Sequence, residues 1–288
     1  MWSPGNASHY GKRPDLAGLD SCHRELRVPS IVRSGLRTVL FVLAHQDDEC
    51  VMSTRIVREL ESNNTPVCAF LTDGSAKGTS SAVRDAESHR ALSMLGVGDD
   101  DVLFLGSANG IPDGKLALHL DDAYRLLESA VAGRPIHRIY CLAYEGGHQD
   151  HDASHALALA LAYRRGVLNQ TWQVPYYHGH RTRWRFFHMQ ARLPDSPHCH
   201  SRRLPAMLAL RHSLLALKFP SQWRTWVGLF PPFFVRRAIQ RRELVQAVDR
   251  NALSGPPHPG SLLYERMQGF SYHDFRQAMD HFLATHFS

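Results

Sequence analysis

The stretch Val39-Leu40-Phe41-Val42-Leu43-Ala44-His45-Gln46-Asp47-Asp48-Glu49 constrains the fold more than any other. An unbroken apolar run, β-branched and aromatic, reads as a buried strand of the kind found in parallel sheets. It stops abruptly at a histidine and three acids, and the residues from Asp48 to Glu61 have helical composition. Ligand-type side chains therefore stand at the carboxyl end of a strand just where a helix begins, the edge at which open α/β sheets bind ligands. His45 and Asp48, three apart across the bend, can aim an imidazole nitrogen and a carboxylate oxygen at one ion. Acids at a helix start also complement its dipole, worth roughly 0.3–1 kcal/mol each. Three of them behind a strand-end histidine exceed what that role needs.

The rest of the chain alternates. Pro66 to Leu71, Val102 to Leu105, Ile136 to Ala143 and Trp172 to Tyr177 read as further strands. Ala82 to Leu95, capped by Gly96, then Leu120 to Ala132 and Ala153 to Tyr163 read as helices. Such alternation means βαβ units and predicts an α/β fold: a Rossmann-like, mostly parallel sheet with helices on both faces. From Thr182 the pattern changes, and Arg202 to Phe219, Val235 to Leu253 and His273 to His286 look helical between Pro-rich breaks. The expected division is a loosely ordered segment 1–30, a catalytic α/β core 31–181 and a mostly helical, basic extension 182–288 packed on the core.

A second chemical stretch is Tyr144-Glu145-Gly146-Gly147-His148-Gln149-Asp150-His151-Asp152. It too follows a strand and opens a helix, so it falls on the same edge as His45. The glycines let the backbone turn and approach a ligand closely. His, Asp and His with one open position is the layout of a catalytic zinc site.

Taken together, His45-Gln46-Asp47-Asp48-Glu49 and Gly147-His148-Gln149-Asp150-His151 resemble the PIG-L/LmbE family of zinc-dependent N-acetyl amino-sugar deacetylases, which carries A-H-P-D-D-E and H-x-D-H motifs. The similarity covers roughly residues 37–180, including Thr72-Asp73-Gly74 and the Arg84…Glu87…Leu95-Gly96 helix. The resemblance implies an LmbE-like fold and one Zn²⁺ per chain held by His45, Asp48 and His151. It implies Asp47 as general base and His148 as the residue that assists the tetrahedral intermediate and the leaving amine, with Asp150 orienting His148 from behind. The implied reaction is removal of an N-acetyl group from an amino sugar or glycoconjugate. The alternatives are a deacylase of a longer-chain N-acyl amino sugar or other amide, and a non-catalytic glycan-binding protein on the same fold. Gln46 replaces the family's usual Pro, and Gly146 stands where some members carry a Tyr; Tyr144 is then the candidate for that ring. Arg84 and Asp113, in segments leading to the same edge, are candidates for gripping sugar hydroxyls.

Charge and composition bound the partners. The whole chain carries +6, yet residues 164–250 hold sixteen Arg or Lys and three acids, or +13, which suits an anionic partner or surface. The five cysteines form no CxxC and read as small core residues in a reducing, cytoplasmic compartment. No signal-peptide pattern opens the chain, and the charge-free run Thr225 to Val235 is too short to span a bilayer. Gly96-Val97-Gly98 lacks the third glycine of a dinucleotide fingerprint, and Walker A, G-x-S-x-G and P-C-x-x-C patterns are absent. No nucleic-acid partner is expected. His198-Cys199-His200, in a Pro/Ser/Arg setting, reads as a solvated loop rather than a second metal site. The stretch Lys218 to Arg237 packs two Trp and four Phe between cationic ends. Its Pro231-Pro232 pair is expected to break regular structure. These aromatics either cover the sheet and wall the active-site cleft, or Trp226, Phe230 and Phe233 meet a hydrophobic part of the substrate or a peripheral membrane surface, with Arg236, Arg237, Arg241 and Arg242 facing anionic groups.

Overall fold

The expected buried strand is β1, Thr38–Leu43, with all of its residues buried. It pairs in parallel with β2 (Thr65–Phe70) on one side and β4 (Ile136–Leu142) on the other. β3 (Val102–Phe104) lies outside β2, and β5 (Thr171–Val174) outside β4. The chain thus leaves β1 in one direction and returns on its other flank. That reversal opens a crevice at the carboxyl ends of β1 and β4. This computed structural model describes residues 37–75, 78–193 and 199–287, all in the compact unit Leu36–Ser288. The segment 1–30, residues Ala76 and Lys77, and His198 lie outside the described residues.

Strand alternation sends the two faces of β1 into two cores. Leu40 and Val42 join residues of α4 (Leu120–Ala130), α5 (Gln149–Arg164) and α9 (Tyr272–His286). Val39, Phe41 and Leu43 join residues of α1 (Glu49–Glu61), α2 (Ser81–Leu95) and α7 (Trp223–Phe234). This is the three-layer α/β arrangement expected. No helix among the described residues is long and apolar enough to cross a membrane.

Four details differ from the sequence reading. α5 begins at Gln149, so Asp150 and His151 lie in a helical turn rather than in a loop. Trp172 to Tyr177 is not one strand: Pro175, lacking an N–H, separates β5 from β6 (Tyr177–His178), which forms a hairpin with β7 (His188–Met189). The region after residue 182 is not wholly helical. β9 (Arg242–Ala247) adds to the sheet antiparallel to β5, and β8 (Cys199–Arg203) pairs antiparallel with β9, giving the order β3-β2-β1-β4-β5-β9-β8. Arg241, at φ +55°, breaks the helix ahead of β9, and Glu243 to Gln246 are buried there. Finally, Pro231 and Pro232 do not interrupt α7. They fall in its last turns, and the N–H of Val235 bonds to their carbonyls. α6 (Ala206–Ser213) and α8 (Leu263–Gln268) complete the C-terminal helices.

Candidate active site

At the end of β1, Asp48 folds back onto the strand. Its Oδ2 accepts from the backbone N–H groups of His45 (2.7 Å) and Ala44 (3.0 Å). The same oxygen lies 3.7 Å from His45 Nδ1, and Oδ1 lies 3.3 Å from His151 Nε2. Asp48 therefore stands between the two imidazoles. Asp47 has φ +127°, a conformation L residues rarely adopt and which persists only where the surroundings enforce it. Its N–H donates to Glu49 Oε2 (2.9 Å), and Arg84 Nη2 lies 3.5 Å from its Oδ1 while also donating to the Gln46 carbonyl. Gln46 braces the bend: its amide donates to Asp85 Oδ1 (2.6 Å), Ser107 Oγ (3.1 Å) and the Thr72 carbonyl (3.3 Å).

At the end of β4, Gly147 passes so close to β6 that a Cβ would lie 2.0 Å from the Tyr177 carbonyl oxygen. Asp152 Oδ1 accepts from the N–H groups of Glu145 (3.0 Å) and Gly146 (3.2 Å), which tightens the turn. His148 caps α5, its Nδ1 accepting from the Asp150 N–H at 3.1 Å. That bond leaves the proton of a neutral ring on Nε2. One turn in, the His151 ring stacks on Tyr176 (5.6 Å, 11°) and meets Tyr177 edge-on. The rings of His45, His148 and His151 lie 4.7–5.2 Å apart. Their ligand atoms fall within 4.8 Å of one another, as do those of His45, Asp113 and Asp150.

The structure brings His45, Asp47, Asp48, Asp113, His148, Asp150 and His151 to one place, but three contacts differ from expectation. The Asp150 carboxylate does not back His148. It accepts from Gly114 N (2.6 Å) and Leu116 N (3.0 Å) and meets His45 Nε2 at 3.0 Å, so it fixes His45, while its backbone N–H serves His148. Arg84 is buried behind Asp47 rather than presented to a sugar, because its cation is the neighbour that a buried carboxylate requires. Tyr144 points away, donating to the Gly255 carbonyl at 2.9 Å. Asp113 Oδ1 sits 3.3 Å from His45 Nε2. The sequence reading did not single out Tyr176, Tyr177 or Glu145, whose carboxylate accepts from the N–H groups of both tyrosines at 2.6 and 2.9 Å. The Pro175 break before two tyrosines was the available signal.

Burial and mutual charge set the ionisation. Burial pushes Asp47 up to about 7, against the pull of Arg84. Burial would raise Asp48 too, but the charges of His151 and His45 outweigh it and hold Asp48 at about 2. His148 is lowered to about 4 by burial and by the charge of His45. His45 is raised because Asp113, Asp150 and Asp48 overcome its burial. Around His45, four buried or nearly buried carboxylates (Asp47, Asp48, Asp113, Asp150) face the buried guanidinium of Arg84, and His151 Nδ1 is buried with no hydrogen-bond partner among the described residues. A divalent cation fits this acid excess, and two imidazoles with a carboxylate are the donor set of zinc and its neighbours.

Residues 40–162 match the family described as PIG-L: GlcNAc-PI de-N-acetylase. No match is found among curated protein sequences. Among solved structures the chain is similar to a deacetylase of the teicoplanin biosynthetic pathway, with TM-score 0.55 and 14% identity over 73% of this chain and 96% of that one. It is also similar to the A40926 pseudoaglycone deacetylase, with TM-score 0.52 and 16% identity over 74% and 97%. A third is N,N′-diacetylchitobiose deacetylase from Pyrococcus horikoshii, with TM-score 0.50 and 16% identity over 73% and 83%. At these identities the likeness is one of fold, and it is the α/β fold described above.

Proposed function

We propose, from the match of residues 40–162 to the PIG-L family, that the protein is a metal-dependent hydrolase that removes the N-acetyl group from an N-acetylated amino sugar or glycoconjugate. The observation that carries the reading is the meeting of His45, Asp48 and His151 beside a backbone-strained Asp47. Zn²⁺, one per chain, held by those three residues would polarise the amide carbonyl and acidify water. Asp47, pinned by Arg84 and Glu49, is the base that takes a proton from the attacking water. His148, neutral and carrying its proton on Nε2, donates to the oxygen on which charge develops. A donor at that point is worth about 3–4 kcal/mol. Asp150 fixes the His45 ring, and Tyr176 and Tyr177 fix His151.

The β6–β7 hairpin supports a substrate with an apolar or anionic portion. A groove of about 410 Å³ is lined by Trp184, Arg185, Phe186 and Arg266, with Trp184 82% and Phe186 74% exposed. The hairpin's first strand carries Tyr177, which touches His151, so the groove is tied to the site wall. The outward residues Met207, Leu217, Trp223 and Val227 favour peripheral membrane contact. Trp226 and Phe233 are buried in the core, which fits the sheet-covering reading of these aromatics rather than surface contact, and Arg237 is buried against Thr54 and Ser53 instead of facing anionic groups. Free thiols at all four described cysteines suit a reducing, cytoplasmic location.

The test is a mass-spectrometric screen of the metal-loaded protein against free, nucleotide-linked, inositol-linked, lipid-linked and antibiotic-linked N-acetylglucosamine. Loss of one acetyl group from at least one of them is expected. Cleavage of long-chain N-acyl sugars alone would move the assignment to a deacylase. Binding with no cleavage of any amide would leave a glycan-binding protein.

A further inference from the structure

Two strands, one where the sequence reads as helix (β9) and one spanning a loop and a helix start (β8), build a second feature. β8 and β9 pair so that Arg203 stands directly opposite Arg242. Like charges in directly opposed cross-strand positions destabilise a sheet. These two arginines, with Arg202, Arg236, Ser201 and Gln240, line a cavity of about 660 Å³. No acid lines it. The one acid on either strand, Glu243, stands opposite Arg202 in the register but is buried and committed to Arg55 (2.9 Å) and Thr54. Among the described residues none of the four arginines forms an ion pair, and Arg236 spends its donors on the Gln190 carbonyl (3.1 Å) and Gln240 Oε1 (2.8 Å). Burial and the charge of Arg242 both lower the pKa of Arg236. The fold thus gathers four guanidinium groups around one cavity, two of them directly opposed, with no carboxylate among the described residues lining it.

We propose that this cavity is a binding site for a phosphate ester, distinct from the catalytic centre. The planar, forked guanidinium suits the bidentate capture of phosphate oxygens. Four arginines gathered in one cavity, rather than strung along a stripe, fit a compact polyanion better than a nucleic-acid backbone. The register places the site. β9 runs antiparallel to β5, with Trp172 opposite Ala247 and Gln173 opposite Gln246, so Arg242, at the start of β9, lies at the carboxyl end of β5. That is the edge from which His45 and His148 emerge. At about 4.8 Å per strand, the arginines stand two to three strands, roughly 10–15 Å, from the end of β4.

The experiment is calorimetric titration of the metal-loaded protein with inorganic phosphate at low ionic strength, comparing wild type, R203S/R242S and R202S. Saturable binding by the wild type is expected, at least tenfold weaker in R203S/R242S and weaker in R202S, while R211S, outside the cavity, binds as wild type does. Removing the opposed pair should leave the melting temperature of the phosphate-free double variant equal to or above that of the wild type, and phosphate should raise the melting temperature only where the site is intact. Vesicles of phosphatidylcholine with and without phosphatidic acid distinguish the sources. Retention on the acidic vesicles, displaced by phosphate, makes the ester a lipid headgroup; phosphate binding without retention makes it a soluble ester. Equal phosphate affinity in wild type and double variant, or no binding by the wild type, overturns the proposal. So does an oligonucleotide that binds more tightly than phosphate through the same arginines.

Discussion

The loops after β1 and β4 and the region from α6 to β9 use similarly polar and aromatic residues, yet they are organised by opposite rules. At the strand ends, ligand-type side chains are nearly all buried, and each is held by a neighbour: Asp48 by two backbone N–H groups, His45 by Asp150, His148 by a helix start. In the C-terminal region adjacent residues of one type divide between core and surface. Trp226 is 5% exposed and Trp223 60%. Arg237 is buried against Val51, Ser53 and Thr54, while Arg236 turns to the Gln190 carbonyl. The difference teaches that a chemical motif set at a strand end is positioned by the strand, whereas an Arg- and aromatic-rich stretch acquires its roles only from what packs on it.

The sharpest way to break the comparison is to remove one strand-end ligand. His45→Ala or Asp48→Ala should reduce bound divalent metal from about one per chain to near none and abolish turnover, as elemental analysis and acetate release would show. Full metal in either variant would remove that residue from the ligand set. Asp47→Asn should keep the metal and lose turnover by about 10²–10⁴-fold, since an amide cannot accept the proton. A normal rate would assign the base elsewhere.

Within the C-terminal region the contrast is one of stability. Phe233→Ala should cost about 3–5 kcal/mol through the cavity it leaves in the core. Trp223→Ala, on the exposed face of the same helix, should change stability by about 0.5 kcal/mol or less. Denaturant unfolding of the two variants measures both, and equal losses would refute the two-faced description of α7.

The smallest effect concerns pH. His155, in the middle of α5, is buried and lowered to about 4 by that burial, and its Nδ1 meets the Leu142 carbonyl at 2.9 Å. Its folded pKa lies below the unfolded value of 6.5, so on acidification the unfolded chain takes up its proton first. The contribution is therefore complete above pH 6.5 and lost progressively as pH falls towards about 4. The wild-type melting temperature should fall across that window, and less so in His155→Asn. Identical pH profiles would remove His155 from the account.

Much of this was readable in the chain because β1 and β4 are apolar runs that end in ligand-type residues, and such a pattern fixes both fold class and functional edge. The parts that were not readable depend on distant packing. Arg84 looked like a sugar grip because nothing local shows that it lies behind Asp47. Asp150 looked like the partner of His148 because it is close in sequence, while its actual partner, His45, is supplied by the other strand. Val235 to Leu253 reads as helix because its residues have adequate helical propensity, and the free edge of β5 is what makes a strand of Arg242–Ala247. Pro231 and Pro232 were read as breakers, but near the end of a helix few hydrogen bonds remain for them to remove.

The most direct test of the metal-dependent centre is acetate release from the cleaved N-acetyl sugar conjugate by one preparation, before chelation, after chelation, and during titration back with Zn²⁺. Activity should vanish on stripping and return in proportion to added ion, reaching its plateau at about one equivalent per chain, while an Asp47→Asn preparation loaded in parallel stays near background. Undiminished acetate release from fully stripped protein would contradict the account.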